Sequence, residues 1–378
     1  LTPRAIPSKL HFIALSWSVL MRGRLLSFLL LCGFVPWSVH AETTVGLIAP
    51  LTGQYAVFGE QFKRGAEQAA KDIGGIKLRF ADDACDPKQA VTVANQLVAE
   101  GVQFVVGHYC SGSAIPASKV FMENGVLLIS PGATNPKLTD EAETYIFRVC
   151  GRDDRQGAVI GHYVLQHYAK GKIALINDKS AYGRGLADEV KRVINAGGLN
   201  EVVFESYNAG ERDYRALVSK LKESNADILF IGGYHTEAGL IARQLAEQGA
   251  KLQIIGGDAL VTDEFWSIAG KAGEGVLMSF GPDPRNNPAA TQAVAQFRKT
   301  GYEPEGYTLY TYAAFQALGH ALAQPYDKFS PSTVAQALRA HQADTVIGQL
   351  GFDAKGDVTG NGYVLYRWHD GHYAEIKE

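Results

Sequence analysis

The stretch Gln103-Phe104-Val105-Val106-Gly107-His108-Tyr109-Cys110-Ser111-Gly112-Ser113 decides the fold. Gln103 to Val106 is a short apolar run that stops at a glycine, which reads as a strand. A small, hydroxyl-rich turn follows, and Ala114 to Asn124 then carries apolar residues at three- and four-residue spacing, as a helix does. A strand handing over to a helix in this way is half of a crossover unit. The helix start leaves backbone N–H groups free to bind an anion.

The same alternation extends in both directions. Val45 to Ala49, Lys77 to Ala81 and Val126 to Ile129 read as strands, with helices at Gly59 to Ile73 and Lys88 to Glu100. The rhythm restarts after Tyr145 to Val149. Strand-like runs at Lys172 to Ile176, Val202 to Ser206, Ile228 to Ile231, Gln253 to Ile255 and Gly275 to Met278 alternate with helices near Gln156, Gly185, Tyr214 and Glu237. Such alternation predicts an α/β chain with two doubly wound, parallel-sheet lobes. No low-complexity tract, charge block or short-period repeat interrupts it.

Translation is read as starting at Met21, because Met21-Arg22-Gly23-Arg24 is a short basic region and Leu25 to Trp37 an apolar core too short to span a bilayer. Val39-His40-Ala41 supplies the small residues of a cleavage site before Glu42. Residues 1–41 are therefore set aside as an upstream extension and a secretory signal, the signal proper being 21–41, and the mature protein is expected to be exported. Cys32 lies inside the apolar core, with no lipoprotein-like Leu-Ala-Gly before it. The balance of 36 basic and 39 acidic residues gives neither nucleic acid nor an anionic membrane surface a reason to bind.

In open parallel sheets, ligands bind beyond the carboxyl ends of the strands. Five unusual segments fall there: His108 to Ser113, Ser130 to Thr134, Asn177 to Gly183, Gly232 to Thr236 and Gly256 to Ala259. Their chemistry suits a zwitterion with an apolar side chain. Ser111, Thr134 and the backbone near Gly132 offer donors for a carboxylate. Asp258 offers a charge for an ammonium group, while Phe58, Tyr109, Tyr182, Tyr234 and Tyr307 can enclose the rest. Blander readings stand beside these. Ser111 and Thr134 are equally good helix caps, Asp258 after two glycines is a natural turn residue, and any of the rings can belong to the core.

The segments Asp82 to Ala90, Gly107 to Ser113, Asp178 to Gly183, Gly232-Gly233-Tyr234-His235 and Thr311-Tyr312-Ala313-Ala314 closely resemble the periplasmic leucine/isoleucine/valine-binding proteins, over the chain from about Glu42 nearly to its end. The resemblance implies a type I periplasmic binding protein fold with three hinge crossovers, near Gly151, Gly281 and Thr359. One lobe is then 42–151 plus 281–359, the other 152–280 plus 360–378. It also implies Ser111 and Thr134 as carboxylate ligands, Gly132 and Ala133 as backbone contacts, and Asp258 where the family usually has glutamate. Phe58, Tyr182, Tyr234 and Tyr307 fall on its aromatic positions.

Tyr109 replaces a leucine of the best-known members. With Tyr307 it should narrow the pocket toward valine, alanine, proline or 4-aminobutyrate, if both rings point inward.

For an exported chain, Cys85 and Cys110 are the natural disulfide pair, two free thiols being the alternative. The loop they close is worth about 3.5 kcal/mol in the chain-entropy model. Cys150 is left over as a small core residue.

The implied function is uptake of an amino acid through the permease subunits of an ABC transporter, by a monomer without cofactor or metal. The alternatives are a periplasmic receptor signalling to a membrane partner, or a secreted enzyme. Against an enzyme, the chain has no Gly-x-Ser-x-Gly elbow, no His-Glu-x-x-His helix, no phosphate loop and no dinucleotide fingerprint. His108 and His235 lack an evident nucleophile and orienting acid together.

Overall fold

The short apolar runs form two sheets. In the first, β1 (Thr43–Ala49), β2 (Ile76–Asp82), β3 (Phe104–Gly107), β4 (Leu127–Ser130) and β5 (Ile146–Arg148) lie in the order β2-β1-β3-β4-β5, all parallel. Alternation along β1 sends Val45, Leu47 and Ala49 to one apolar cluster and Ile48 to another, so both faces are covered. The helix Ala56–Ile73 packs against Thr308–Leu322, and Pro87–Ala99 against Ser111–Glu123. The computed structural model describes residues 42–141, 144–326, 330–360 and 362–377. The expected signal segment and cleavage site at Ala41 lie outside them.

The second sheet contains β6 (Ile173–Asn177), β7 (Val203–Ser206), β8 (Ile228–Gly232), β9 (Gln253–Gly256), β10 (Leu277–Phe280), β13 (Val364–His369) and β14 (His372–Glu375). Their order is β14-β13-β10-β9-β8-β6-β7. This sheet is not wholly parallel, since β13 runs antiparallel to β10 and β14 antiparallel to β13. Two further strands, β11 (Ala343–Thr345) and β12 (Gly348–Leu350), make a separate antiparallel ribbon. Helices Asp153–His167 and Ala181–Ala196 pack together, as do His235–Glu247 and Asp263–Ala269. No described helix is long and apolar enough to cross a membrane.

The chain passes from the first sheet to the second between β5 and β6, returns after β10 to place the helix Thr308–Leu322 on the first, and crosses again before β13. At the first passage, the guanidinium of Arg148 is fully buried. It donates to Asp357, to Thr139 and to the carbonyls of Ala133 (3.1 Å) and Asn135 (3.0 Å). Arg152 adds a 2.7 Å bond to the same aspartate. Segment 353–358 is thereby tied to the edge of the first sheet, where Arg148 N donates to Gly356 O at 3.0 Å.

Cys85 and Cys110 are disulfide-bonded, with Cα atoms 5.5 Å apart, and Cys150 is free and buried. The bridge pins the β2 exit to the start of the helix Ser111–Glu123.

Candidate functional site

All five segments singled out in the sequence follow the carboxyl ends of β3, β4, β6, β8 and β9. Two of the glycines there are needed for close approach. A Cβ on Gly183 would run into the Gly232 carbonyl, and one on Gly232 into the Gly183 carbonyl, so the helix start sits directly on the end of β8. Gly257 likewise leaves room for the Tyr182 hydroxyl, which then reaches the residue that follows.

That residue, Asp258, is only 3% exposed. Its carboxylate accepts from Tyr182 Oη at 2.7 Å, from Gln156 Nε2 at 2.9 Å and from Tyr307 Oη. Tyr307 comes from the helix-linked part of the first lobe, whereas Tyr182 and Gln156 come from the second. Burial pushes the Asp258 pKa above the ordinary carboxylate range, against the lowering effect of those three donors. Asp258 is therefore no simple turn residue.

Around it the rings form one continuous cluster. Phe58 stacks on Tyr109 with centroids 4.1 Å apart, and Tyr109 meets Tyr307 at 5.4 Å and Tyr234 at 5.9 Å. Tyr182 lies 5.1 Å from Tyr234. Phe58, Tyr109, Tyr182, Tyr234 and Tyr307 are all buried. Tyr109 and Tyr307 thus both turn into the space between the lobes. Gly132 permits this: a Cβ there would meet Tyr109 Cδ2 at 3.0 Å and Phe62 Cζ at 3.2 Å.

Ser111 is the first residue of its helix, and its side chain caps nothing; its Oγ accepts from Asn135 N at 3.2 Å. This bond ties the helix start to the loop that holds Ala133 and Thr134. Ala133 is fully buried, its N–H donating to Ser130 Oγ at 2.9 Å. Thr134 Oγ1 is buried without a hydrogen-bond partner. The helix-capping alternative therefore accounts for neither hydroxyl.

Three neighbours were not anticipated. Tyr55 packs on Tyr234 at 4.4 Å. Gln156 bridges Asp258 and, at 2.9 Å, Ser279 Oγ. Asp153 is buried at the start of the same helix as Gln156.

The two histidines are structural in their surroundings. His108 Nδ1 lies 2.6 Å from Asp83 Oδ2, with both side chains buried. His235 Nε2 faces Glu264 at 3.2 Å and Thr236 Oγ1 at 3.3 Å. A relay needs the acid and the hydroxyl on opposite ring nitrogens, and here both share one.

Glu305 connects the lobes from the side of the site. Its carboxylate accepts from Asp263 N at 3.2 Å, with Thr262 Oγ1 and Gln61 Nε2 each at 3.4 Å. Burial, with the nearby Asp263 charge, pushes its pKa up to about 7. A carboxyl raised in the folded state contributes stability that is fully present below its unfolded pKa and is lost as pH rises through the folded value. Glu305→Gln should therefore gain stability relative to wild type between pH 5 and 8, by about 1–2 kcal/mol after allowing for solvent screening. Asp178, raised by burial to about 6, acts in the same direction in both proteins and cancels in the comparison. Parallel melting curves across this range test it, and a constant difference between the two proteins would contradict it.

Two α/β lobes whose strand ends converge on a buried carboxylate and a shell of rings have the architecture of a two-lobed solute-binding protein, of the type I periplasmic kind. Residues 42–372 match the family model described as periplasmic binding protein, and the chain belongs to that family. It is 47% identical over 372 residues to the Leu/Ile/Val-binding protein homolog 1 of Brucella suis biovar 1, covering 95% of this chain and 100% of that one. It is 46% identical over 353 residues to the amino acid binding protein of Pseudomonas aeruginosa, covering 90% and 94%.

Among solved structures, a leucine-binding protein of Thermotoga maritima superposes with a TM-score of 0.83 at 24% identity, covering 89% of this chain and 98% of that one. An ABC transporter substrate-binding protein of Desulfitobacterium hafniense, solved with Leu, gives 0.73 at 26% identity, covering 88% and 99%.

Proposed function

We propose that this protein is the periplasmic receptor of an ABC amino-acid uptake transporter and binds a branched-chain or small aliphatic amino acid between its lobes. The single observation that carries the reading is Asp258, a buried carboxyl group held by donors from both lobes and enclosed by aromatic rings. The names of the Brucella and Pseudomonas relatives support the same ligand class. In this reading Ser111, Thr134 and the backbone at Gly132 and Ala133 take the carboxylate, and Asp258 attracts the ammonium. Phe58, Tyr109, Tyr182, Tyr234 and Tyr307 surround the side chain.

The lobes, 42–151 plus 281–359 and 152–280 plus 360–378, close on the ligand by hinge motion, and the closed monomer is presented to the permease subunits. Export follows removal of the signal after Ala41, so the periplasmic protein should begin at Glu42 when its intact mass is measured. The 5.4 Å approach of Tyr109 and Tyr307 favours valine, alanine, proline or 4-aminobutyrate over leucine, since larger side chains would have to displace a ring.

A thermal-shift screen of the mature protein against the common amino acids and their short analogues tests the assignment. A ligand at a hundred times its Kd adds about 2.7 kcal/mol by mass action, well within detection. No shift with any aliphatic amino acid would overturn it.

A further inference from the structure

A short segment of the first lobe crosses to the second at two neighbouring residues. Gln61, on the helix Ala56–Ile73, accepts from Tyr307 N at 2.9 Å and donates to Glu305 Oε1 at 3.4 Å. Gly306 between them has φ +51°, and a Cβ there would lie 2.4 Å from Gln61 Oε1, so a glycine is what lets the turn lie against that glutamine. From this anchorage Tyr307 reaches Asp258, and Glu305 reaches the start of the helix Asp263–Ala269. Asn135 Nδ2, which donates to Ala181 O at 2.7 Å, ties the lobes at another point through a neutral group.

Across the gap Glu305 meets Asp263 N at 3.2 Å and Thr262 Oγ1 at 3.4 Å, and Thr262, 0% exposed, also accepts from Glu264 N at 3.3 Å. The charges around Glu305 do not favour its ionised form. Asp263 adds a like charge. The neighbouring ions are directed elsewhere: Glu264 to His235 at 3.2 Å, Arg64 to Glu60 at 2.7 Å, Arg285 to Asp283 and Glu303, and Arg298 to Glu303. Tyr302 and Tyr373, whose phenols interact with Glu305, are held neutral by burial. The protonated carboxyl group fits this setting, since it still accepts from Asp263 N while its own hydroxyl donates to Thr262 Oγ1.

We infer that Glu305 is a positioning residue for ligand retention, which latches the lobes together when protonated and lets them part when ionised. The inference rests on the receptor reading given above, in which the lobes close by hinge motion. Once they separate, the carboxyl group leaves Asp263 and Thr262 for water and returns toward the ordinary glutamate pKa of about 4.3. In the closed form burial, and after it the Asp263 charge, hold it up to about 7. The closed form thus binds the proton more tightly, so closure is favoured in acid and loses this support as pH rises through about 7. An amide at 305 copies the protonated group, accepting from Asp263 N and donating to Thr262 Oγ1, but cannot ionise.

The test reads release of the best-binding amino acid of the thermal-shift panel, radiolabelled and chased with an excess of the unlabelled compound, at pH 5 and pH 8. Full mature wild type, Glu305→Gln and Glu305→Ala are compared, because differences within one site appear mainly in the off-rate. The wild-type rate divided by the Glu305→Gln rate should rise at least threefold from pH 5 to pH 8. Asp258, Asp178 and the His235–Glu264 pair are present in both proteins and cancel in that ratio. Glu305→Ala, with no side chain to span the gap, should release at least threefold faster than Glu305→Gln at both pH values. A ratio that changes less than threefold overturns the inference, as does an alanine rate within threefold of the glutamine rate. Circular dichroism checks the fold, and Glu305→Ser takes the place of Glu305→Ala if that variant does not fold. Failure of wild type to bind any amino acid would be a different result, overturning the receptor reading itself and this latch with it.

Discussion

Asp258→Asn should weaken binding of the preferred amino acid by some thirtyfold to several thousandfold, the about 2–5 kcal/mol that removing one partner of a buried charge pair costs. The local geometry isolates charge from shape. Asparagine keeps an acceptor for Tyr182 and Gln156, which both address Oδ1, and the Tyr307 hydroxyl can rotate to accept from the new amide. The ligand-free protein should not suffer. Burial raises the Asp258 pKa, so the ionised form is disfavoured in the folded state, and a neutral replacement should leave stability at pH 7 unchanged or higher. Affinity lost without stability lost is the expected pair of results, read by calorimetry and by melting. A loss below about threefold, roughly 0.7 kcal/mol, would show that Asp258 does not face the ammonium.

The sheets were legible because their strands are buried on both faces and so appear as unbroken apolar runs that stop at a glycine, as in Phe104 to Gly107 and Ile228 to Gly232. The helix Thr308–Leu322 was not, because eleven of its residues are buried; with no polar stripe there is no period to read. The antiparallel pair β13 and β14 had a local signal that went unused. Asp370-Gly371, both at positive φ (46° and 81°), is the Asp-Gly turn of a two-residue hairpin between alternating runs.

At the site, the sequence exposed residues whose type is unusual in its setting, such as a charge after two glycines or a tyrosine beside a glycine. Asp153 and Gln156 carry no such mark. Their burial arises from the passage between the sheets, which turns the first helical turn inward, and no local pattern encodes the direction of a turn. Tyr55 was equally invisible, since its contact with Tyr234 joins residues from opposite lobes.

The passage itself makes the largest stability prediction. Arg148→Met should destabilise the fold by about 3 to 5 kcal/mol, because methionine matches the stem of the side chain but leaves a buried carboxylate and two carbonyls short of donors. Two effects oppose each other here. Asp357 still accepts from Arg152 Nη1 at 2.7 Å and from Thr139 Oγ1 at 2.9 Å, so the aspartate is not left alone and the loss should sit near the lower figure. The carbonyls of Ala133 and Asn135 have no such reserve from Arg152, whose N–H groups are directed at Asp140, Asp154, Thr139 and Asp357.

Arg152→Met is the natural control. It removes a partly exposed partner while Arg148 stays, and it should cost about 1 kcal/mol or less. Denaturant unfolding of both variants measures the difference. Equal losses would show that Asp357, which both arginines share, dominates. A loss under about 1 kcal/mol for Arg148→Met, below the usual cost of even one buried unmet acceptor, would show that water replaces the guanidinium. Since those carbonyls flank Thr134, Arg148→Met should also weaken ligand binding. That coupling of affinity to stability separates a residue that shapes the site from Asp258, which is expected to change affinity alone.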